Sequence, residues 1–596
     1  MKEINCDVLI VGAGGGALRA AIAAQRANRE LTVMIATKGK LGQSGVTALA
    51  CSDRMAFHAT LPYTLPNKEE NWRYHAEDIY RLGGHVSDPS LAQILAKESG
   101  RAVEELVELE VPFVRDKSGK LDQFLTDGSI YPRACYTGPH TANDIEHALV
   151  EEVKRLGIEV LEEHYVFELA VSENKVCGAW ALPEGANVKA GFEEQLVFLA
   201  AKAVILATGG AGEVYGHHVF PPGCTGDGYA MALLAGIPLV NMEFIQMGLC
   251  STETKLACSG SIMRSMPRII DDRGEEIYLE ENWAELLFAK GASWPLSYES
   301  ETHRIDLLVA RELNHDRRVY LDFSKNPTGF KWQQLSPKTL ELYQKEQSSD
   351  LGSLRELSPI ARLLELNPQV VQWLAIRGIN LLAGDLLEIQ SRAQHFQGGI
   401  KIGQRAETEI FGLYAVGEVA GGQHGANRPG GNSLLDGQVF GRIAGEEAAE
   451  LASSRGAVSA PQLPTICFQN GDYELAANEA LIKVKQLMDK YGKVIRSDEG
   501  LEIANRELEK LAKCRLLPQE KSWDSFLEAR TAILVSRAII KAARIRKESR
   551  GPHLFFYDEE GEPIAGNPSY RRSIAIRGLG FEVQWIDWEK VGSEVS

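Results

Sequence analysis

The chain has 596 residues, too many for one hydrophobic core, and its length predicts roughly three to four domains. Hydrophobic residues make up 44% and charged residues 24%, an ordinary soluble, globular balance. The formal net charge of −17 argues against nucleic acid and anionic membrane surfaces as partners, but a local cluster of Arg and His could still hold a small anion.

Residues 6–11, CDVLIV, form a short apolar run that ends at Gly12 and suits a buried parallel strand. A helical pattern follows through Ala27, then a second strand, LTVMIA, at 31–36. This is a βαβ unit. Gly12-Ala13-Gly14-Gly15-Gly16-Ala17 between strand and helix matches G-x-G-x-x-A. The first glycine permits the tight turn, the second lets backbone approach a pyrophosphate, and the small sixth residue lets helix pack on strand. The plainer reading is a glycine loop with no ligand, and the strand–turn–helix context disfavours it. The acidic residue that would bind the ribose of NAD is missing, and Thr37 and Lys38 stand in its place.

Residues 90–156 read as mostly helical, and 157–205 as a β-meander returning to the main sheet. AKAVILATGG (201–210) reads as a further central strand ending in a glycine turn. From 241 to 355 Trp, Pro, Ser and charged residues mix and the parallel-strand signal stops, as in an inserted domain. A strand-and-turn segment returns in GLYAVGEVAGG (412–422). It leads into GANRPGGNSLLDGQVFGRIAG (425–445), a glycine-rich turn followed by a helix N-terminus that can face a ligand. Long helices are expected at 470–550 and short strands at 553–590.

Nine cysteines are scattered without a C-x-x-C pair, so no iron–sulfur or zinc site is expected within this chain. Their odd number and irregular spacing suit reduced thiols in the cytoplasm. The N-terminus enters a strand at once, without signal-peptide features. No apolar run reaches about 18 residues, so a membrane would be met only through partner subunits.

Several blocks in the same order resemble the succinate dehydrogenase/fumarate reductase flavoprotein family. They are LGQSGVTALA (41–50), TGPHTAND (137–144), ATGG (207–210), TGDG (225–228), HFQGGI (395–400), GEVAGGQHGANRPGGNSL (417–434) and RKESRGPH (546–553). The resemblance implies an α/β fold with a Rossmann-like FAD-binding domain in two parts (1–240 and 356–450). It also implies an inserted α+β capping domain (241–355), a C-terminal helical domain (451–552) and a small strand-containing domain (553–596). It implies FAD contacts from Gly12, Gly14, Gly15, Ala17, Thr37, Lys38, Gly42, Ser44, Gly45, Thr208, Gly209, Asp227, Gly417, Glu418, Arg428, Ser433 and Leu434. Thr37-Lys38 favours FAD over NAD, and no metal site is implied.

Three departures fall at functional positions. The flavin-edge loop carries Ser44 and Thr47 where respiratory members have the histidine that bonds the flavin, so noncovalent FAD is expected. The family's Phe-His-Pro-Thr segment, which binds one carboxylate of a C4 diacid, is replaced by Phe244-Ile245-Gln246-Met247-Gly248, with a thioether in place of the cationic donor. The arginine that protonates substrate lies in an Arg-Gly-Glu-Gly-Gly block that is absent, leaving Arg264 as nearest counterpart and Arg268 next; an ordinary ion pair is the rival role for each.

His395 and Arg428 survive and are expected to bind the remaining carboxylate. The plainer alternatives are a core histidine and an arginine held by flavin or backbone. His424 could face the flavin ring, whereas His217, His218 and His553 read as structural. The resemblance thus implies an FAD-dependent oxidoreductase that passes hydride between flavin N5 and a small carboxylic acid or enoate other than fumarate or succinate. Electrons would be exchanged with an iron–sulfur partner subunit. Two alternatives stay open: a noncovalent oxidase resembling L-aspartate oxidase, and an electron-transfer flavoprotein subunit of a larger complex.

Overall fold

The computed structural model describes residues 2–588, apart from 51–54, 127, 278–282, 333–334, 338, 342–356, 459–462, 465–472 and 519–521. The fold is α/β, organised around a seven-stranded mixed sheet. Strands β1 (Lys2–Val11), β2 (Val33–Ala36), β3 (Glu159–Leu161), β4 (His164–Ser172), β5 (Lys175–Pro183) and β6 (Val197–Leu206) run in the order β3-β2-β1-β6-β5-β4. β1 pairs in parallel with β2 (Val8 opposite Val33) and with β6 (Val8 opposite Ala203). β4, β5 and β6 form the antiparallel meander. The strand Leu413–Ala415 adds in parallel to the far half of β6. Val8, Leu9 and Ile10 are buried on both faces, which is why this run lacks polar alternation.

Helix α1 (Gly15–Ala27) is rich in alanine and packs closely on α2 (Asn432–Ser454). On α2, Gly437, Gly441 and Gly445 recur every four residues and so share one face. A Cβ at Gly445 would come 2.3 Å from the Ala20 carbonyl oxygen, and one at Gly441 would come 2.7 Å from that of Gly16. The stripe therefore lets α2 approach α1 backbone to backbone, and it brings two helix N-termini to one end of the sheet.

The second layer is a four-stranded antiparallel sheet. Strands β7 (Ile245–Ser251), β8 (Arg268–Asp271), β9 (Val319–Asp322) and β10 (Leu387–Phe396) lie in the order β7-β10-β9-β8. Its core is separate from the main one and includes Leu249, Met263, Leu363, Leu374 and Ile389. The capping unit thus continues to about residue 396 rather than stopping at 355, a position that lies outside the described residues. The correction has a simple cause: β10 runs directly into HFQGGI, and that motif drew the whole segment toward the flavin side.

Two other expectations change. The described residues of 109–140 are not helical; Pro112, Pro132 and Pro139 and positive-φ Gly119, Gly128 and Gly138 break the pattern, and Phe57–His58 pairs with Ala134–Cys135 instead. The C-terminal strands form a hairpin, Ser573–Arg577 with Glu582–Ile586, that extends the sheet of Leu239–Val240, Gly399–Lys401 and Ala420–Gly421. It is therefore part of the main body. Helices Ala477–Tyr491, Asp498–Ala512 and Asp524–Ile545 pack against one another, and the RKESRGPH segment fastens them to that body. Buried Arg546 pairs with Glu243 at 2.6 Å and Glu548 at 3.1 Å, while Arg550 pairs with Glu548 and donates to the Gly84 carbonyl.

Candidate active site

One cavity of about 1240 Å³ runs from the β1–α1 turn, past the N-terminus of α2, to the capping sheet. Gly12 turns the chain off β1 with φ +111, and its N–H donates to Ala36. A Cβ there would sit 2.3 Å from the Ala207 carbonyl oxygen, so only glycine fits. The Gly15 N–H donates to Thr47 Oγ1 at 3.2 Å, which fixes the flavin-edge loop against the turn. Thr208 Oγ1, Gln438 Oε1 and Arg428 Nε are buried without a protein partner, and all three residues line the cavity. A bare glycine cradle plus orphaned polar atoms along one groove fits an extended dinucleotide.

The expected FAD contacts and the candidates Arg264, Arg268, His395 and Arg428 all line this cavity except Ala17, Gly42 and Arg268, and His424 does not line it. Ala17 is fully buried beneath the turn, and Gly42 faces Val150. Arg268 is bound to Asp322 on the neighbouring strand, so of the two candidate proton donors only Arg264 reaches the cavity. Arg264 leaves the short helix Gly260–Arg264 beside Phe288, 5.6 Å from its ring centroid, in space left by the missing side chain of Gly291.

At the nucleotide end Lys38 lies between Glu528 (2.8 Å) and Asp227 (3.9 Å), 4.0 Å over the Tyr165 ring. Burial works against its charge, but Asp227 and Glu528 outweigh it and hold its pKa above the ordinary value. Burial pushes the Glu528 carboxyl up. Glu528 was missed from sequence because a lone Glu near the start of an Ala- and Ile-rich helix carries no signal.

At the other end, β10 delivers His395 opposite Gln246 of β7. Gln246 Nε2 donates to Asn427 Oδ1 at 2.5 Å, and Asn427 Oδ1 also accepts from the Arg428 N–H at 3.0 Å. His395 is held well below its ordinary pKa by burial, then by Arg428 and His424. Gln397 Nε2 lies 3.2 Å from its Nδ1, which leaves Nε2 of a neutral ring as the donor. Burial lowers Arg428 to about 10, against Glu418 and Asp436, so it stays charged at neutral pH. Burial raises Glu418 and Asp436 to about 7 each, so neither is fully charged there. A permanent cation beside two partly neutralised acids suits a bound anion. His424 is buried behind His395, ring centroids 6.1 Å apart, and burial lowers it to about 3. His553 is bonded to Arg496 in the interdomain network, His217 pairs with Asp489, and the His218 carbonyl accepts from Arg392.

Met247 does not face the cavity. Strand alternation turns it into the main core, while Gln246 lines the cavity and Gly248, on the same face of the strand, backs the lining residue Trp294. The apolar group on this side is Trp294, which sequence reasoning passed over among the scattered tryptophans of the insert.

A dinucleotide cradle at one end of the cavity and a buried cation, Arg428, at the other fit an FAD-dependent oxidoreductase. The chain belongs to the FAD-binding family that includes the fumarate reductase and succinate dehydrogenase flavoprotein subunits; the FAD binding domain model matches residues 7–434. An uncharacterized FAD-dependent oxidoreductase of Methanocaldococcus jannaschii is 30% identical, over 98% of each chain. A fumarate reductase (CoM/CoB) subunit of Methanothermobacter marburgensis is 29% identical, over 96% of this chain and 97% of that one. The solved Sdh1 of Mycobacterium smegmatis shares the fold, with a TM-score of 0.78 at 23% identity, over 99% of this chain and 95% of that one.

Proposed function

We propose that the protein passes hydride between flavin N5 and a small carboxylic acid or its 2,3-unsaturated form, and that this acid is not fumarate or succinate. When bound, FAD supplies the hydride carrier. Gly12, Gly14, Gly15, Thr208, Glu418 and Ser433 would hold it, and its attachment is noncovalent. Arg428 and the Nε2–H of His395 hold the substrate carboxylate and so fix the adjacent carbons. Arg264 holds the proton that reaches the second carbon as the double bond is reduced, and takes it back in the reverse direction. The cap excludes water from the site.

The observation that carries this reading is the asymmetry of the cavity. Arg428, His395 and Gln246, which Asn427 holds, form a polar end, while Trp294, Phe288 and Leu256 give the cap an apolar stretch of lining beside Arg264 and Lys255. Electrons are exchanged with an iron–sulfur partner. Leu49 (54% exposed) and Leu125 (49% exposed) at the cavity rim support an apolar partner contact there. The Methanothermobacter relative, itself named as one subunit, agrees with a multi-subunit assembly. Among the described residues no group of three or more His, Cys, Asp or Glu is placed to hold a metal, and no helix is long and apolar enough to cross a membrane.

Anaerobic flavin spectra recorded against short saturated acids, enoates and their thioesters test the proposal. Bleaching or reoxidation by a monoacid supports it. Rapid peroxide formation by the isolated protein with an amino acid overturns it in favour of an oxidase.

A further inference from the structure

Gly248 and Trp294 form one unit. Gln246, opposite His395 and bonded to the residue before Arg428, marks the anionic end of the cavity. Gly248 lies two residues further along the same face of β7, about 7 Å away. No side chain fits at 248, since a Cβ would lie 2.5 Å and 2.6 Å from indole atoms Cε2 and Cζ2 of Trp294. The indole is fixed in place. Its Nε1–H donates to the Leu249 carbonyl at 2.8 Å, Pro295 bridges to Gly248, and the Leu296 N–H donates to Met247 at 2.7 Å.

We propose that Trp294 is the specificity-determining residue of this cavity: a rigid indole wall, seated on Gly248, that selects acids with an apolar body and excludes a second carboxylate. This rests on the acid-oxidoreductase reading above. The one polar atom of the indole is already bonded to backbone, so the face it turns to the cavity has no donor. Leu256, Phe288 and Ala292 continue the wall. A carboxylate placed against it would lose water and gain no hydrogen bond. A methyl, methylene or ring would lose only ordered water and gain contact area. Arg264 and Lys255 are the cations on this side; Arg264 meets the reacting carbons, and Lys255 lies among Arg392 and Glu213.

The test uses the FAD-loaded protein, photoreduced and mixed anaerobically with but-2-enoate, hex-2-enoate, 3-phenylprop-2-enoate or fumarate while flavin reoxidation is followed. Each turnover converts one enoate and one proton, with the hydride, to the saturated acid and oxidised flavin. Wild-type protein is expected to be reoxidised by the monoacids at least tenfold faster than by fumarate. Trp294→Ala is expected to raise KM for but-2-enoate about tenfold and to shift the preference toward the phenyl acid. Trp294→Phe keeps the wild-type order, and Trp294→Leu replaces the alanine variant if that one loses its flavin. Overturning results are an equal change for all four acids with Trp294→Ala, or tighter fumarate binding in wild type than any monoacid. If no acid reoxidises wild-type flavin, the acid reading itself fails and the wall proposal with it. If the acids turn over but their order ignores residue 294, only the wall proposal fails.

Discussion

The two ends of the cavity are built by different means. The flavin side is backbone: glycine turns, two helix N-termini and a glycine stripe that closes α2 on α1. The capping side is side chains: Arg264 on a one-turn helix, Trp294 on a strap and Gln246 on a strand. A backbone site has few workable sequences, because Gly12, Gly441 and Gly445 are fixed by contacts a Cβ would make, and Gly45, Gly209 and Gly417 by a positive φ. A side-chain site can be refilled one residue at a time without disturbing the sheet beneath it. The difference teaches that a cofactor can be kept while the substrate changes.

The largest expected effect comes from separating the two halves of the fold. Arg546, Glu548 and Arg550 are buried and paired, so Glu548→Ala leaves Arg550 without its carboxylate and Arg546 with Glu243 alone, and should cost about 3–5 kcal/mol. The thermal-inactivation half-life at fixed temperature reads this, and an unchanged half-life would mean the staple carries no load. Next, Arg428→Lys should lower kcat/KM about 10²–10³-fold while FAD content stays near one per chain. Loss of flavin instead would place Arg428 on the cofactor side of the comparison.

A pH profile sharpens the same boundary. Asp436 and Glu418 are raised to about 7 by burial, so both are largely protonated below that pH. Above it they ionise and compete with the substrate anion for Arg428. The acid's KM should therefore climb by up to about tenfold per pH unit above 7, and Asp436→Asn should flatten the rise. The smallest effect belongs to the nucleotide end. Lys38→Met removes one charged partner and brings Glu528 and Asp227 together unscreened, so FAD affinity, measured by fluorescence titration, should fall about tenfold.

The same contrast explains what the sequence revealed. The cofactor cradle was legible because Gly12, the 425–445 segment and ATGG encode backbone geometry in the local order of their glycines. The sequence ranked Arg264 ahead of Arg268 only by its position relative to the missing block, and the pairing of Arg268 with Asp322 across β8 and β9 is the physical difference between them. Met247 looked like the replacement for a cationic donor, but the register of β7 points it into the core and leaves Gly248 to Trp294. Glu528 reaches the cavity from a helix some three hundred residues after Asp227, a meeting no local pattern records. The end of the cap was misplaced because β10 belongs to one sheet while its last residues carry a motif of the other.

The central claim is that the flavin side is retained and the capping side rebuilt for an acid with one anionic end. The most direct measurement is the steady-state kcat/KM of the FAD-loaded protein for fumarate against but-2-enoate, with a reduced viologen as electron donor. The account predicts at least a tenfold preference for but-2-enoate. Efficient turnover of fumarate, with but-2-enoate inert, would contradict it.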